Sequence, residues 1–179
     1  TDTNGCNNTK VESIIINPQP TLGMTYTTVV GANAVGTELE GTELCYDEGV
    51  FTIQGTNVSG AATVKSNSTS GTFALFTDAA ATAAAVNTSG GFTDNANGTA
   101  SILASAISTD NGETREGLPK TYYVKYTFDD NGCSNTKVES FIINPQPTLG
   151  FEYTSTVGSN ISGTELDVTE MCFDEATFT

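Results

Sequence analysis

The chain repeats itself, and this limits what it can fold into. Residues 4–52 return as residues 131–179 at a constant shift of 127, without a gap, and 34 of the 49 aligned positions are identical. The blocks NGC-x-NTKVES-x-II-NPQPTLG and GTEL-x-x-TE-x-C-x-DE each occur twice. Whatever structure the first copy takes, the second is built to take as well. About 1.4 periods are present, as expected of a stretch cut from a longer tandem array. Such arrays form extended surfaces and scaffolds more readily than enzymes.

Charge narrows the partners. With 21 Asp+Glu against 6 Lys+Arg the formal charge is −15, so no surface can neutralise a run of phosphates and nucleic acid is not expected as a partner. The chain has no polybasic patch for an anionic bilayer, and no stretch of roughly 20 apolar residues to span one. An acidic excess suits a soluble, mutually repelling surface, or one that holds hard cations. The absence of His removes the commonest general base and excludes Ser–His and Cys–His nucleophile pairs.

Two proline pairs punctuate the chain. Asn17-Pro18-Gln19-Pro20 and Asn144-Pro145-Gln146-Pro147 remove backbone donors, fix φ angles and push the preceding residue to an extended conformation, which makes a short stiff linker. The apolar runs Val11–Ile16 and Val138–Ile143 end just before them. The expected organisation is therefore a last strand or hairpin of a preceding repeat over 1–16 and a linker over 17–20. A complete domain follows over 21–143, then a second linker over 144–147 and the first strands of a following repeat over 148–179.

Within the domain, short β-branched runs at Met24–Val30, Val50–Gln54, Ala62–Lys65 and Thr72–Phe76 are separated by Asn, Ser and Gly clusters. Thr121–Phe128 alternates most cleanly, with Tyr122, Val124, Tyr126 and Phe128 on one face. Asn131-Gly132 then predicts a hairpin turn, with a return strand over Ser134–Ile143. The pattern predicts an all-β fold, an antiparallel β-sandwich. Asp78–Val86, mostly alanine with Asp78 as N-cap, reads as a short Ala-rich helix or a lid on the sandwich edge. Thr99–Ser108 reads equally as strand or helix.

The four cysteines recur singly, two per repeat, without the close spacing of a zinc knuckle. One disulfide per repeat in an oxidising compartment is expected. Two connectivities respect the repeat. Cys6–Cys45 and Cys133–Cys172 would each cross a linker. Alternatively Cys45–Cys133 lies within the domain, and Cys6 and Cys172 pair with cysteines beyond residues 1–179. The second is favoured here, because it closes a loop of some 90 residues, worth roughly 4–5 kcal/mol in the chain-entropy model.

Cys45-Tyr46-Asp47-Glu48, then GFTDNANGTA over Gly91–Ala100, then Tyr122 to Cys133 ending in Asp130-Asn131-Gly132-Cys133, then Asn144-Pro145-Gln146-Pro147, follow in a familiar order. The series resembles the Ig-like tandem repeats of giant surface proteins, adhesins and filaments, in gliding, type IX-secreting bacteria. The resemblance covers the whole repeat. It implies an Ig-like sandwich, a disulfide between an early and a late strand, and an extracellular position on the bacterial cell surface. It supplies no catalytic residues.

Other candidate sites are weighed against simpler readings. Asp2-Thr3-Asn4-Gly5 and Asp129-Asp130-Asn131-Gly132 resemble pieces of calcium loops, and Asp94, Asn95, Asn97 and Asp110-Asn111-Gly112-Glu113 add oxygens. None has full loop spacing, and turns account for Asn-Gly, so no cofactor is expected and Ca2+ is the one ion worth testing. Glu38, Glu43, Asp47 and Glu48 recur as Glu165, Glu170, Asp174 and Glu175. A catalytic pair copied into every link of an array is unusual, so a polar strand face or inter-domain contact is expected and no enzyme activity. The leading expectation is a structural extension unit whose partners are adjacent repeats and, in a filament, copies of itself. The alternative is a repeated glycan- or protein-binding module.

Overall fold

The computed structural model describes residues 3–5, 7–57, 71–130, 132–156, 162, 163 and 165. The chain divides into two compact units, Thr1–Pro145 and Gln146–Thr179. The first is mostly β. Its strands are β1 (Leu22–Tyr26), β2 (Thr42–Cys45), β3 (Phe51–Asn57), β4 (Thr72–Phe76), β5 (Phe92–Asp94), β6 (Thr99–Ile102), β7 (Lys120–Asp130) and β8 (Cys133–Asn144), with one short helix, α1 (Ala104–Asp110). They form two four-stranded sheets, ordered β1-β3-β6-β5 and β2-β8-β7-β4. All pairings are antiparallel except β2–β8, which is parallel.

The long β7–β8 hairpin organises the second sheet. Its register runs from Lys120 opposite Ile143 to Asp130 opposite Cys133. Gly132 has φ 81°, the left-handed region that glycine enters without a Cβ penalty. On β7 the expected alternation holds: Tyr122, Val124, Tyr126 and Phe128 are buried. They join Met24, Tyr26, Ile53 and Ile102 of the other sheet, with Phe141 and Ile143 of β8, in one core. Each fully buried large apolar side chain contributes roughly 1.5–3 kcal/mol.

The two sheets approach closely at Tyr126. A Cβ placed on Gly55 of β3 would stand 2.2 Å from the Tyr126 ring, and one on Gly71, just before β4, would stand 2.5 Å from it. The ring stacks on Phe73 at 4.5 Å between centroids. Glycine is therefore required at both positions by space, not by backbone conformation.

The short Ala-rich helix expected over Asp78–Val86 does not form. The Asp78 carboxylate instead accepts hydrogen bonds from the Thr82 and Ala83 N–H groups and the Thr82 hydroxyl. The chain turns back so that Ala84 bridges Phe76. Those bonds hold the Asp78 carboxyl below its ordinary pKa. A helix of that length needs a packed apolar face, and alanine offers little to bury. The helix lies in the ambiguous segment instead, where Ala104 and Ile107, three apart, are buried on one face. Gly91 makes room for it: a Cβ there would sit 2.6 Å from the Ile107 nitrogen. The strand expected at Ala62–Lys65 lies outside the described residues.

The second unit, taken by itself, begins as the first does. Glu152 bridges Glu165 as Thr25 bridges Glu38. The Gly163 N–H donates to the Tyr153 carbonyl at 2.8 Å, as Gly36 donates to Tyr26 at 2.8 Å. Both glycines have φ 87°. Among the described residues, this bridge and this turn recur at the repeat spacing of 127.

Gly55→Ala is expected to destabilise the fold by about 1–3 kcal/mol, measured by urea denaturation, with partial recovery when Tyr126→Leu is added. A neutral Gly55→Ala would show that the sheets do not meet as closely as described.

Candidate functional site

The features that carry chemistry gather along β8, at its two ends and at one buried carboxylate between them. At its start, the linker Asn17–Pro20 lies against the strand. The Gln19 amide donates to the Ser134 carbonyl at 2.8 Å, and the Asn135 amide donates to the Pro20 carbonyl at 2.6 Å. The Cys133 thiol donates to the Asn17 carbonyl at 3.5 Å. Proline fixes the linker's carbonyls and removes competing donors, so side chains of both the linker and the strand hold it. At the far end of β8 the parallel strand β2 sets Cys45 opposite Asn144. Here the Tyr46 N–H donates to the Asn144 carbonyl at 2.9 Å, and the Asn144 amide donates to Glu43 Oε2 at 3.0 Å.

This register revises the expected disulfide. Cys45 and Cys133 are both free thiols. They stand at opposite ends of the twelve-residue β8, roughly 36 Å apart at the usual rise of about 3.3 Å per residue. A disulfide needs Cα atoms within about 7 Å, so a Cys45–Cys133 bridge within the domain is incompatible with the fold. Loop-closure entropy favours that pairing, but the parallel β2–β8 pairing separates the two residues. Cys6 and Cys172, expected to pair beyond residues 1–179, lie outside the described residues.

Between the two ends sits Glu139, whose side chain is 1% exposed. Burial, helped by the charges of Glu38 and Glu40, pushes its carboxyl up to about 7, against the pull of Lys137 and a hydrogen bond from the Met24 backbone. Lys137 Nζ is 3.9 Å from Oε1, and Oε2 is buried without a hydrogen-bond partner among the described residues. Glu40 is turned away to the neighbouring residue, accepting from the Ser140 N–H and hydroxyl at 3.3 Å each. Glu139 follows Lys137 in the repeated K-V-E, and its copy is Glu12. Sequence reasoning passed over it because an acidic residue in a Lys/Glu/Ser stretch reads as solvated; only its place in the alternation with Phe141 and Ile143 points inward.

Among the described residues the recurring acids form no group of three with metal-ligand geometry. Glu43 serves Asn144, and Glu38 lies in the bridge to Thr25; Asp174 and Glu175 lie outside the described residues, as does Glu170. Among the described residues, several oxygens considered for calcium are already taken up by protein donors, some local and some from distant segments. Asp94 accepts from the Phe73 and Ala96 N–H groups, and Asn97 from the Thr99 N–H and hydroxyl. Asp110 accepts from the Ser89 N–H and hydroxyl and the Thr88 hydroxyl, which holds its carboxyl below the ordinary value. Asp129 accepts from the Gly132 N–H. Among the described residues no three Asp, Glu or Cys side chains group as metal ligands do, and no helix is long and apolar enough to cross a membrane.

Between pH 4.5 and about 7 the folded chain keeps a proton on Glu139 that the unfolded chain has lost. Stability therefore falls as pH rises through that window. Glu139→Gln is expected to raise stability by about 1–3 kcal/mol at pH 8 and to leave it nearly unchanged at pH 4. Equal effects at both pH values in thermal melts would show that Glu139 is not buried as a titrating group.

No family model, curated protein or solved structure matches this chain.

Proposed function

We propose that the chain is a stretch of Ig-like tandem repeats that extends an extracellular bacterial surface filament or adhesin, and that it has no catalytic role. One observation carries this reading. The same apolar repeat positions are buried in one copy and bare in the other. Ile14 and Ile16 are each 89% exposed, whereas their copies Phe141 and Ile143 are 0% and 3% exposed. Leu149 and Phe151 are likewise bare at 84% and 76%, where Leu22 and Met24 are buried. Apolar residues at these repeat positions would be covered if the repeat around each were completed by further repeats along the chain.

The topology supports the Ig-like assignment. The order β1-β3-β6-β5 corresponds to the A-B-E-D sheet of an Ig fold, and β8-β7-β4 to its G-F-C sheet. β2 then adds to the second sheet as a parallel partner of the last strand.

The mechanism is mechanical. The chain enters beside the start of β8 and leaves from its end. Tension between the linkers runs along β8 and slides it against β2, whose ladder lies parallel to the pull. Hydrogen bonds loaded this way share the force and do not open one by one. The acidic excess keeps neighbouring arrays soluble. Export by type IX secretion and self-assembly into multi-chain filaments belong to the same reading, on the strength of the resemblance in the repeat motifs.

Negative-stain electron microscopy of the full-length protein, released from cells without reductant, should show beaded threads or bundles. The expected bead spacing is about 4–5 nm, from a twelve-residue β8 at ~3.3 Å per residue plus a linker. Compact single particles would contradict the array and favour a binding module in a globular assembly.

A further inference from the structure

The chain carries four Asn-Gly pairs, at Asn4, Asn97, Asn111 and Asn131, and the fold treats two of them in opposite ways. A glycine after asparagine leaves the next backbone nitrogen unshielded, because no Cβ stands beside it. The asparagine side-chain carbonyl carbon is four bonds from that nitrogen, and rotation about single bonds closes a five-membered ring between them. At Asn111 the amide is held at both ends. Its Oδ1 accepts from the Val86 N–H at 2.9 Å, and its Nδ2 donates to the Val86 carbonyl at 2.9 Å and the Ile107 carbonyl at 2.8 Å. Ring closure there would break that cradle. Asn97 is exposed, and its hydrogen bonds among the described residues fall on Oδ1 alone. The Thr99 N–H donates to this oxygen at 3.1 Å and the Thr99 hydroxyl at 2.6 Å. The Asn95 amide donates to the Thr99 hydroxyl oxygen at 2.9 Å, which leaves the hydroxyl proton for Asn97. The Asn97 amide therefore reaches across Gly98, with two donors on the oxygen where negative charge gathers when its carbon is attacked.

We propose that Asn97-Gly98 is a self-modifying site, converted to aspartate and isoaspartate through a succinimide with Thr99 as the oxyanion donor. Hydroxide takes the Gly98 N–H proton, and the nitrogen attacks Asn97 Cγ. A C–N bond forms, and the carbonyl electron pair moves to Oδ1, where the Thr99 N–H and hydroxyl stabilise it. The pair returns, the Cγ–Nδ2 bond breaks, and Nδ2 takes a proton from water and leaves as ammonia. Water then opens the succinimide at either carbonyl. Opening at Cγ gives aspartate at position 97, and opening at the backbone carbonyl gives isoaspartate. One water is consumed and one ammonia released. The isoaspartate product adds a methylene to the backbone between β5 and β6, and this turn holds other parts of the fold. The Gly98 carbonyl accepts from the Gly55 N–H at 3.0 Å, and Asp94 Oδ2 accepts from the Phe73 N–H at 3.1 Å. The turn is thus tied to β3 in its own sheet and to β4 in the other. Gly55 is also where the Tyr126 ring packs against β3. Conversion at Asn97 therefore loosens a place where the two sheets meet. The inference is independent of the tandem-array reading.

The test is ageing of the folded chain Thr1–Thr179 at pH 8 and 37 °C, with samples digested by trypsin briefly and at mildly acidic pH. The fragment Ser66–Arg115 contains both Asn97 and Asn111, so its fragmentation spectra compare the two sites within one peptide. The expected result is the mass change of amide to acid at Asn97, as separable aspartate and isoaspartate forms, while Asn111 stays an amide. In the urea-unfolded chain the two sites should convert at similar rates. Thr99→Val is expected to slow conversion at Asn97 by about threefold to tenfold, the worth of one hydrogen bond, and Thr99→Ser to keep it near the original rate. Conversion at Asn97 no faster than at Asn111, or the same preference in the unfolded chain, would overturn the site. A folded Thr99→Val chain that converts as fast or faster would overturn the role of Thr99, since its bonds would then be protecting the amide. Hydrogen exchange at the Gly55 amide should be faster in the isoaspartate fraction than in the unaged chain; equal exchange would overturn the effect on the sheet contact.

Discussion

The structure depends on one strand. β8 is paired along most of its length with β7 and, over its last four residues, in parallel with β2. Phe141 and Ile143 face the core from it, and Glu139 is buried beside them. Both linkers attach to it, one docked at its start and the other continuing from its end. Parallel pairing between an early strand and the last one places residues 45 and 133 a strand length apart. The same pairing puts the covalent chain's exit and the early strand side by side. The position of every junction residue follows from that choice.

A single registration also explains the buried carboxylate. Strand alternation sends residues 139, 141 and 143 to one face, so the K-V-E of the repeat delivers an acid where an apolar residue would pack. Lys137, two residues back, supplies the partly exposed counter-charge. The group stays protonated to about pH 7 because burial outweighs that pairing. The cost falls on stability above neutral pH, and is tolerable in a domain whose core otherwise holds Tyr, Phe, Ile and Met side chains from both sheets.

Much of this was legible in the residues. The alternation of Tyr122, Val124, Tyr126 and Phe128, the Asn-Gly turn and the Val138–Ile143 run specify the β7–β8 hairpin, because one face is buried and a slip by one residue would invert it. Thr72–Phe76 was legible for the same reason. β2 and β5 were not, being three or four residues long and held by partners distant in sequence. The alanines after Asp78 carry helix propensity but no face to bury, so the aspartate's local hydrogen bonds decided the turn. The helix formed instead where Gly91 opened space for Ile107, a packing fact with no local signature. The cysteine pairing misled because chain entropy counts residues in a loop and is blind to whether strands run parallel. The docking of the proline linker needed Gln19 and Asn135, two polar residues in turn-like contexts that mark nothing by themselves.

The proposed array makes one central claim: residues 11–16, which form no strand here, take the paired, buried form of their copies 138–143 in β8 when further repeats are present. Hydrogen–deuterium exchange tests it directly, comparing Thr1–Thr179 with the full-length protein. Amides of 138–143 should be protected in both. Amides of 11–16 should exchange within seconds in Thr1–Thr179 and slow to the rate of 138–143 in the full-length protein. Fast exchange at 11–16 in both would contradict the account, because the apolar strand would then remain uncovered even where further repeats are present.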